Sequence, residues 1–219
     1  MTLLASGEEY DGAVFAGTTA DEDEFAGPGG SFVLDDLDLR DCRFDDCTFS
    51  KVSAARTNFD HVVIRRSAFE SVKASNSSFV DAALTAVEFR GCQLSGLDIS
   101  SAMLKNVVYE ECRLVLASFR FSRFTSVTFR NCDLTEADFQ GMKAVNVNFE
   151  RCRFEGTEFS QASVTSGAIR DCEIGSLSGI TGLAGITVDV PALMALAPAL
   201  ALAAGFIVAA PDESPSRPR

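Results

Sequence analysis

The residues best suited to chemistry in this chain are seven cysteines and a single histidine. Five of the cysteines, Cys92, Cys112, Cys132, Cys152 and Cys172, are spaced by 20 residues, a regularity that suggests a thiolate metal ladder or a row of disulfides. His61 has Asp41 and Asp81 twenty residues to either side, the ingredients of a carboxylate–imidazole pair. Both readings depend on where the backbone places these side chains. From Leu34 to Ile174 a large apolar residue recurs at every fifth position. Of the 29 positions in that frame, 26 hold Leu, Phe, Ile, Tyr or Val, and Ala54, Ala74 and Ala144 fill the others. Two residues before each stands a second set that is nearly always small. A period of five matches neither a helix at 3.6 nor a strand at 2, so it marks a repeat.

The length of one turn follows from a longer period. Glu70, Arg90, Glu110, Arg130, Glu150 and Arg170 each follow a large position by one residue, and their sign alternates at every step of 20. If four pentads make one coil, these charges stack about 4.8 Å apart, each with an opposite charge above and below it. Arg113, Asp133, Arg153 and Glu173 repeat the alternation in a neighbouring column. A four-sided coil has a narrow interior, so two inward residues per side alternate small and large while the remaining positions face solvent. Some seven coils at about 4.8 Å give a rod roughly 34 Å long, each coil covering the apolar interior of the next.

This placement decides the chemistry. All seven cysteines fall at the small inward position, where they read as buried small hydrophobes. Parallel side chains about 4.8 Å apart fit disulfide geometry poorly, and no histidine joins them as a ligand. His61 follows the inward Phe59 by two, on the outer surface, where Asp41 and Asp81 suit a surface ion pair and not a catalytic dyad. With no convergent pocket and no phosphate-binding glycine loop, no enzymatic activity, metal or cofactor is expected.

Ala137-Asp138-Phe139, Ala117-Ser118-Phe119, Cys132-Asp133-Leu134 and Cys152-Arg153-Phe154 carry a small–polar–large core. They resemble the A(D/N)LXX pattern of the pentapeptide-repeat family, over about two thirds of the chain. That resemblance implies an all-β solenoid, a right-handed quadrilateral β-helix. The quinolone-resistance members of the family imply more: a DNA-like rod that binds DNA gyrase or another type II topoisomerase, and a hydrophobic C-terminal helix that joins two rods into a homodimer. Mimicry of DNA needs outward carboxylates; the best column is Asp38, Asp98, Asp138 and Glu158, interleaved with Asn58, Ser78 and Ser118. Against it, Arg43, Arg123 and Lys143 form a basic column. Residues 1–60 carry 14 acids and 4 bases, whereas residues 61–175 carry 14 acids and 13 bases. The net charge of −12 disfavours direct nucleic-acid binding and points to a protein partner with a basic surface. A general protein-interaction rod is therefore the first functional reading, with topoisomerase binding as its alternative. Outward Leu116 and Phe121, with Val115 and Val80, are apolar breaks that suit a contact surface.

The chain divides into residues 1–31, an acidic N-terminal segment and cap; 32–175, the repeat rod; 176–210, a C-terminal helical cap or dimerisation element; and 211–219, a disordered tail. Tyr10, Phe15 and Phe25 echo the repeat one residue out of frame and predict a first coil or lid, while the run Asp21–Glu24 reads as solvated loop. Asp189 suits a helix N-cap, Pro191 its first turn and Gly205 its stop. Pro198 predicts two short helices, near 191–196 and 198–204, followed by a closing strand at Phe206–Val208. Leu193, Leu196, Leu200 and Phe206 are the candidate dimer contacts. Val190 to Ala210 is free of charge and long enough to span a bilayer, which gives a third, membrane-tethered reading; two prolines and the lack of flanking Lys or Arg speak against it. No basic start precedes Glu8-Glu9, and the thiols suit a reducing compartment, so a cytoplasmic location is expected.

Overall fold

A computed structural model describes residues 7–11, 14–16, 26–27 and 31–207. The chain winds into a parallel β-solenoid of about eight turns with one C-terminal helix. Residues 20 apart stack in register throughout the rod: Leu84 lies on Leu104, Leu104 on Phe124 and Phe124 on Ala144. The four sides of the coil are numbered here by their inward columns. Face one centres on Phe119 and Phe139, face two on Leu104 and Phe124, face three on Tyr109 and Phe129, and face four on Leu114 and Leu134. Faces two and three carry the strands Ala83–Arg90, Met103–Glu110, Arg123–Arg130 and Lys143–Glu150, which run on through the corner between them. Faces one and four are tied by single parallel bridges such as Asp98↔Ser118 and Arg113↔Asp133.

The corners from Asp36 to Gln161, and that at Asp171, are made the same way; at Ser166 the positive φ passes to the next residue, Gly167. The residue two after the large position adopts a left-handed backbone, as at His61, Asn106, Leu116 and Phe121, with φ of 59°, 53°, 60° and 58°. Its amide donates to the coil above, for example His61 to the Val80 carbonyl at 2.8 Å and Phe121 to that of Gln140 at 2.9 Å. A left-handed residue bearing a Cβ is disfavoured by roughly 1–2 kcal/mol, so the corner positions exclude the side chains that tolerate it least. From Asp36 to Asp171 they hold no Val, Ile, Thr or Pro.

The large column fills the interior. Phe69, Phe89, Tyr109, Phe129 and Phe149 stack with ring centroids 4.7–5.1 Å apart. Phe119, Phe139 and Phe159 do the same on face one, at 4.8 and 4.9 Å. The small column has a bonding task as well as a packing one. Thr57, Ser122 and Thr157 donate their hydroxyls to the carbonyls of Leu34, Ile99 and Leu134, each 23 residues earlier. Cysteine thiols occupy the same geometry.

The N-terminal echo is a partial first coil. Glu9–Asp11 pairs with Arg43–Asp45 and Val14–Ala16 with Thr48–Ser50, and the Tyr10 ring stacks on Phe44 at 5.0 Å. The offset is 34 residues, so 14 more than one coil lie between the two windings. Ala26–Gly27 and Ser31–Val33 form an antiparallel pair, which the repeat did not predict. Phe25 and the Asp21–Glu24 run lie outside the described residues.

Beyond the last pentad the winding continues: Leu177–Ser178 pairs with Thr157–Glu158, and Thr187–Val188 with Ala168–Ile169. A 3-10 turn at Ile180–Leu183 lies between them. The two short helices expected are a single one, Val190–Ala203, that runs through Pro198. The hydrogen bond lost at proline falls on its exposed side, where Met194 is 70% exposed, while Ala192 and Leu196 are buried and hold the helix to the rod. Asp189 caps its start, accepting from the Ala192 amide at 2.8 Å. Gly205 turns left-handed at φ 84°, and the Phe206 amide returns to the Ala201 carbonyl at 2.9 Å, closing a Schellman stop. That return leaves Phe206 and Ile207 exposed and out of any strand, contrary to the closing strand expected; Val208 lies outside the described residues. Among the described residues no helix is long and apolar enough to cross a membrane.

Candidate functional site

The cysteine column is part of the wall. The thiols of Cys92, Cys112, Cys132 and Cys152 donate to the carbonyls of Phe69, Phe89, Tyr109 and Phe129 at 3.3–3.4 Å. These are the bonds that the inward Ser and Thr hydroxyls make, so the three residue types are interchangeable here for one reason. All seven cysteines are free thiols, and among the described residues no group of three potential ligands is close enough to hold a metal. His61 sits at a corner and is exposed, but no ion pair joins it to Asp41 or Asp81. The expected surface pair is absent because of reach. At equivalent corners Arg56 and Arg66 extend down one coil to Asp36 and Asp46, both at 2.6 Å, and an imidazole is shorter than an arginine side chain. The arginines beside Asp36 and Asp46 hold both carboxyls below the usual range.

Face one brings the two surface candidates of the sequence together. The acidic column is in register from Asp38 through Asn58, Ser78, Asp98, Ser118 and Asp138 to Glu158. Leu116 and Phe121 are the corners on either side of Ser118, so they rim the same face at its middle. Leu116 is 59% exposed and Phe121 53%. The Phe121 ring lies over Gly141, where a Cβ would come within 2.5 Å of it. Arg120 places its guanidinium 5.6 Å from that ring centroid and pairs with Asp138 at 3.1 Å. Val80 and Val115 are only half-exposed.

The carboxylates of the column are not equivalent. Asp38 is paired with Arg40 at 2.7 Å, and that bond holds its carboxyl below the usual range. Asp138 is shared between Arg120 and the Gln140 amide. Asp98 accepts from the Ser100 amide and hydroxyl, and Glu158 from the Ser160 amide. Only Asp98 and Glu158 are without an ion pair among the described residues. They stand three coils apart, about 14 Å, so two unneutralised charges in this column are sparse for a run of phosphates. The arrangement suits a protein surface that brings a cation and an apolar anchor.

Of the C-terminal candidates, Leu193, Leu200 and Phe206 are exposed, at 45%, 40% and 68%. Leu196 is not available as a contact: it is 3% exposed because it points into the end of the rod. With Leu200 it lines an apolar cavity of about 240 Å³ bounded by Ile180, Leu183, Ile186 and Val188. Sequence reading also missed exposed apolar residues on the body of the rod, among them Met103 and Val145, at 58% and 50%. Their place in the pentad frame, one residue to either side of an inward position, was the signal.

The chain matches the Pentapeptide repeat region family over residues 42–119, and Pentapeptide repeats (8 copies) over residues 102–141, 112–150 and 132–166. No curated protein sequence matches it. Among solved structures it is similar to HetL, a pentapeptide repeat protein involved in heterocyst differentiation regulation from the cyanobacterium Nostoc sp. strain PCC 7120. The TM-score is 0.49 and the identity 11%, over 78% of this chain and 86% of that one. It is also similar to QnrB1, a plasmid-mediated fluoroquinolone resistance protein. A trypsin-treated form gives a TM-score of 0.41 at 18% identity, over 91% of this chain and 99% of that one. Full-length QnrB1 gives 0.35 at 20% identity, over 78% and 99%. With family matches running unbroken from residue 42 to residue 166, on coils that turn a corner at every fifth residue, the chain belongs to the pentapeptide-repeat family.

Proposed function

We propose that this protein is a non-enzymatic, rigid interaction scaffold that docks a protein partner on face one, in a reducing compartment such as the cytoplasm. One observation carries the reading. Leu116 and Phe121 are large, apolar and exposed, and both occupy left-handed corners where the rest of the rod uses mostly Gly, Asn, Asp, Ser or charged residues. Exposed apolar area and backbone strain each work against folding, so two such residues rimming one face are explained by what they contact. The acids of that face favour a partner presenting cations. The exposed Leu193, Leu200 and Phe206 support a further element of the reading, a homodimer joined through the C-terminal helix.

A second reading, binding of DNA gyrase or another type II topoisomerase in place of DNA, is favoured by the acidic column standing in register without a base in it. One set of variants separates the two. Chemical cross-linking in cell extract, read by mass spectrometry, is expected to give a partner that is lost in Leu116→Ser/Phe121→Ser and retained in Asp98→Lys/Glu158→Lys. Inhibition of gyrase supercoiling by the wild type, lost in the acidic variant and kept in the apolar one, reverses the order of the readings. Sedimentation of the wild type beside Leu193→Asp/Phe206→Asp tests the dimer: a wild-type monomer ends that part of the proposal.

A further inference from the structure

Face two carries a patch that neither reading uses. Three consecutive coils present Met103 and Lys105, Arg123 and Thr125, and Lys143 and Val145, all six exposed. They are in register as two columns, Met103↔Arg123↔Lys143 and Lys105↔Thr125↔Val145. The coils on either side end the patch with small uncharged residues, Ala83 and Thr85 before it, Ser163 and Thr165 after it. The corners bounding the three coils hold no acid either. Among the described residues none of the three cations makes an ion pair.

The neighbouring face shows what this rod does elsewhere with stacked charge. On face three Glu110 lies between Arg90 and Arg130, at 3.7 and 3.4 Å, and Arg130 reaches Glu150 at 3.0 Å. On face two Arg123 lies directly on Lys143, like charge on like, with Lys105 diagonal to both. Directly opposed like charges in a ladder are destabilising. A local rule that is kept on one face and broken on the next marks the broken one as functional. The apolar members of the patch narrow the ligand. Met103 and Val145 are exposed at opposite corners of it, and Phe121 stands at the edge it shares with face one.

We infer that this patch is a second docking surface, for an acidic protein segment carrying apolar side chains. It goes beyond the face-one reading and does not depend on it. Charge complementarity selects an acidic partner, since three unpaired cations lie within about 10 Å along the rod, two coil spacings. The interleaved Met103 and Val145 select protein over a bare phosphodiester chain, which would leave them uncovered. The net charge of −12 also repels a long polyanion while tolerating a short acidic segment against a local cationic patch.

The test is a nitrogen-15 NMR titration of the full chain at about 150 mM salt. The probe is a capped twelve-residue peptide of glutamates interspersed with two leucines and a phenylalanine; a short DNA duplex is titrated in parallel. The peptide is expected to shift amides at residues 103–105, 123–125 and 143–145. Its affinity is expected to fall about tenfold or more in Lys105→Glu/Arg123→Glu/Lys143→Glu and severalfold in Met103→Ser/Val145→Ser. All these positions are exposed, and the remaining spectrum reports whether each variant keeps its fold. Tighter binding of the duplex overturns the inference in favour of a phosphate site. Indifference to the Met103/Val145 change reduces the patch to a counter-ion strip and overturns it as well. So does concentration-dependent broadening of the same amides without peptide, which would make a second copy of the chain the occupant, and so does the absence of any shift there.

Discussion

Tyr109→Phe should stabilise the rod. Tyr109 is fully buried in the face-three stack, 4.8 Å from Phe89 and 5.0 Å from Phe129. Its hydroxyl is the one buried side-chain nitrogen or oxygen without a hydrogen-bond partner among the described residues. Taking an unpaired hydroxyl out of water costs about 1–3 kcal/mol. Deleting the oxygen leaves a gap of roughly 10–15 Å³, which at about 24 cal/mol per Å³ costs only some 0.3 kcal/mol. The net gain is about 1–2 kcal/mol, or a rise of about 3–6 °C in Tm for a chain of this length. Urea denaturation followed by far-ultraviolet circular dichroism measures it directly. The midpoint should rise with an unchanged slope, an unchanged slope being the check that the rod still unfolds as one unit. Burial also pushes the Tyr109 phenol well above its ordinary value. The folded state therefore holds this proton more tightly than the unfolded one. Its contribution is complete below the ordinary tyrosine pKa of about 10 and is lost as pH rises above it. The alkaline loss of stability should be smaller in the phenylalanine variant. A midpoint equal to or below that of the wild type would refute the reasoning, since it would mean that the hydroxyl is satisfied or that its removal opens a costlier cavity.

The corner geometry predicts that Asn106→Val, at an exposed left-handed residue with φ of 53°, costs about 1–2 kcal/mol. Asn106→Gly should cost far less, and equal urea midpoints for the two variants would remove strain as the reason no β-branched residue occupies a corner. Asp189 accepts from the amides of both Asp171 and Ala192, and these two bonds hold its carboxyl below the ordinary range. Its contribution to helix docking is therefore complete above the ordinary carboxylate pKa and is lost as pH falls through the lowered one. Hydrogen-exchange protection across Val190–Ala203, taken relative to the intrinsic rate at each pH, should fall in acid for the wild type. In Asp189→Ala protection should be low throughout, and an unaltered acid response in that variant would assign the effect to another group.

Much of the rod was legible because its interior is a spacing problem. Fixing the large residues at every fifth position and the charges at every twentieth left one coil that satisfied both, and the Glu110–Arg130 and Arg130–Glu150 pairs are that coil seen from outside. The corners are equally legible: the lack of Val, Ile, Thr and Pro from Asp36 to Asp171 is a backbone signal independent of the hydrophobic frame. The 34-residue offset that seats Tyr10 on Phe44 was legible only as a frame shifted by one residue, because a period of five does not say how many residues separate two windings. The single helix through Pro198 was missed for a different reason. Local propensity argued for a break, and burial of Ala192 and Leu196 against the rod end outweighed it. On face one, the column from Asp38 to Glu158 and the pair Leu116 and Phe121 were each found in the sequence. That they border one another needed only the corner geometry, but that Arg40 and Arg120 neutralise two of the four carboxylates needed side-chain positions.

The alternating column on face three sets a rule for how such a rod can change length. Removing one coil would bring Arg90 against Arg130, or Glu110 against Glu150, and duplicating one would do the same at the new junction. Removing or duplicating two coils, about 40 residues, restores the alternation. Growth by recombination is thus constrained to an even parity of coils wherever the charged column passes through the junction, and the heritable unit of this architecture is twice its geometric one. Faces one and two carry no such alternation, so a two-coil step would leave the ladder intact while adding or deleting whole rows of the two surfaces proposed for docking.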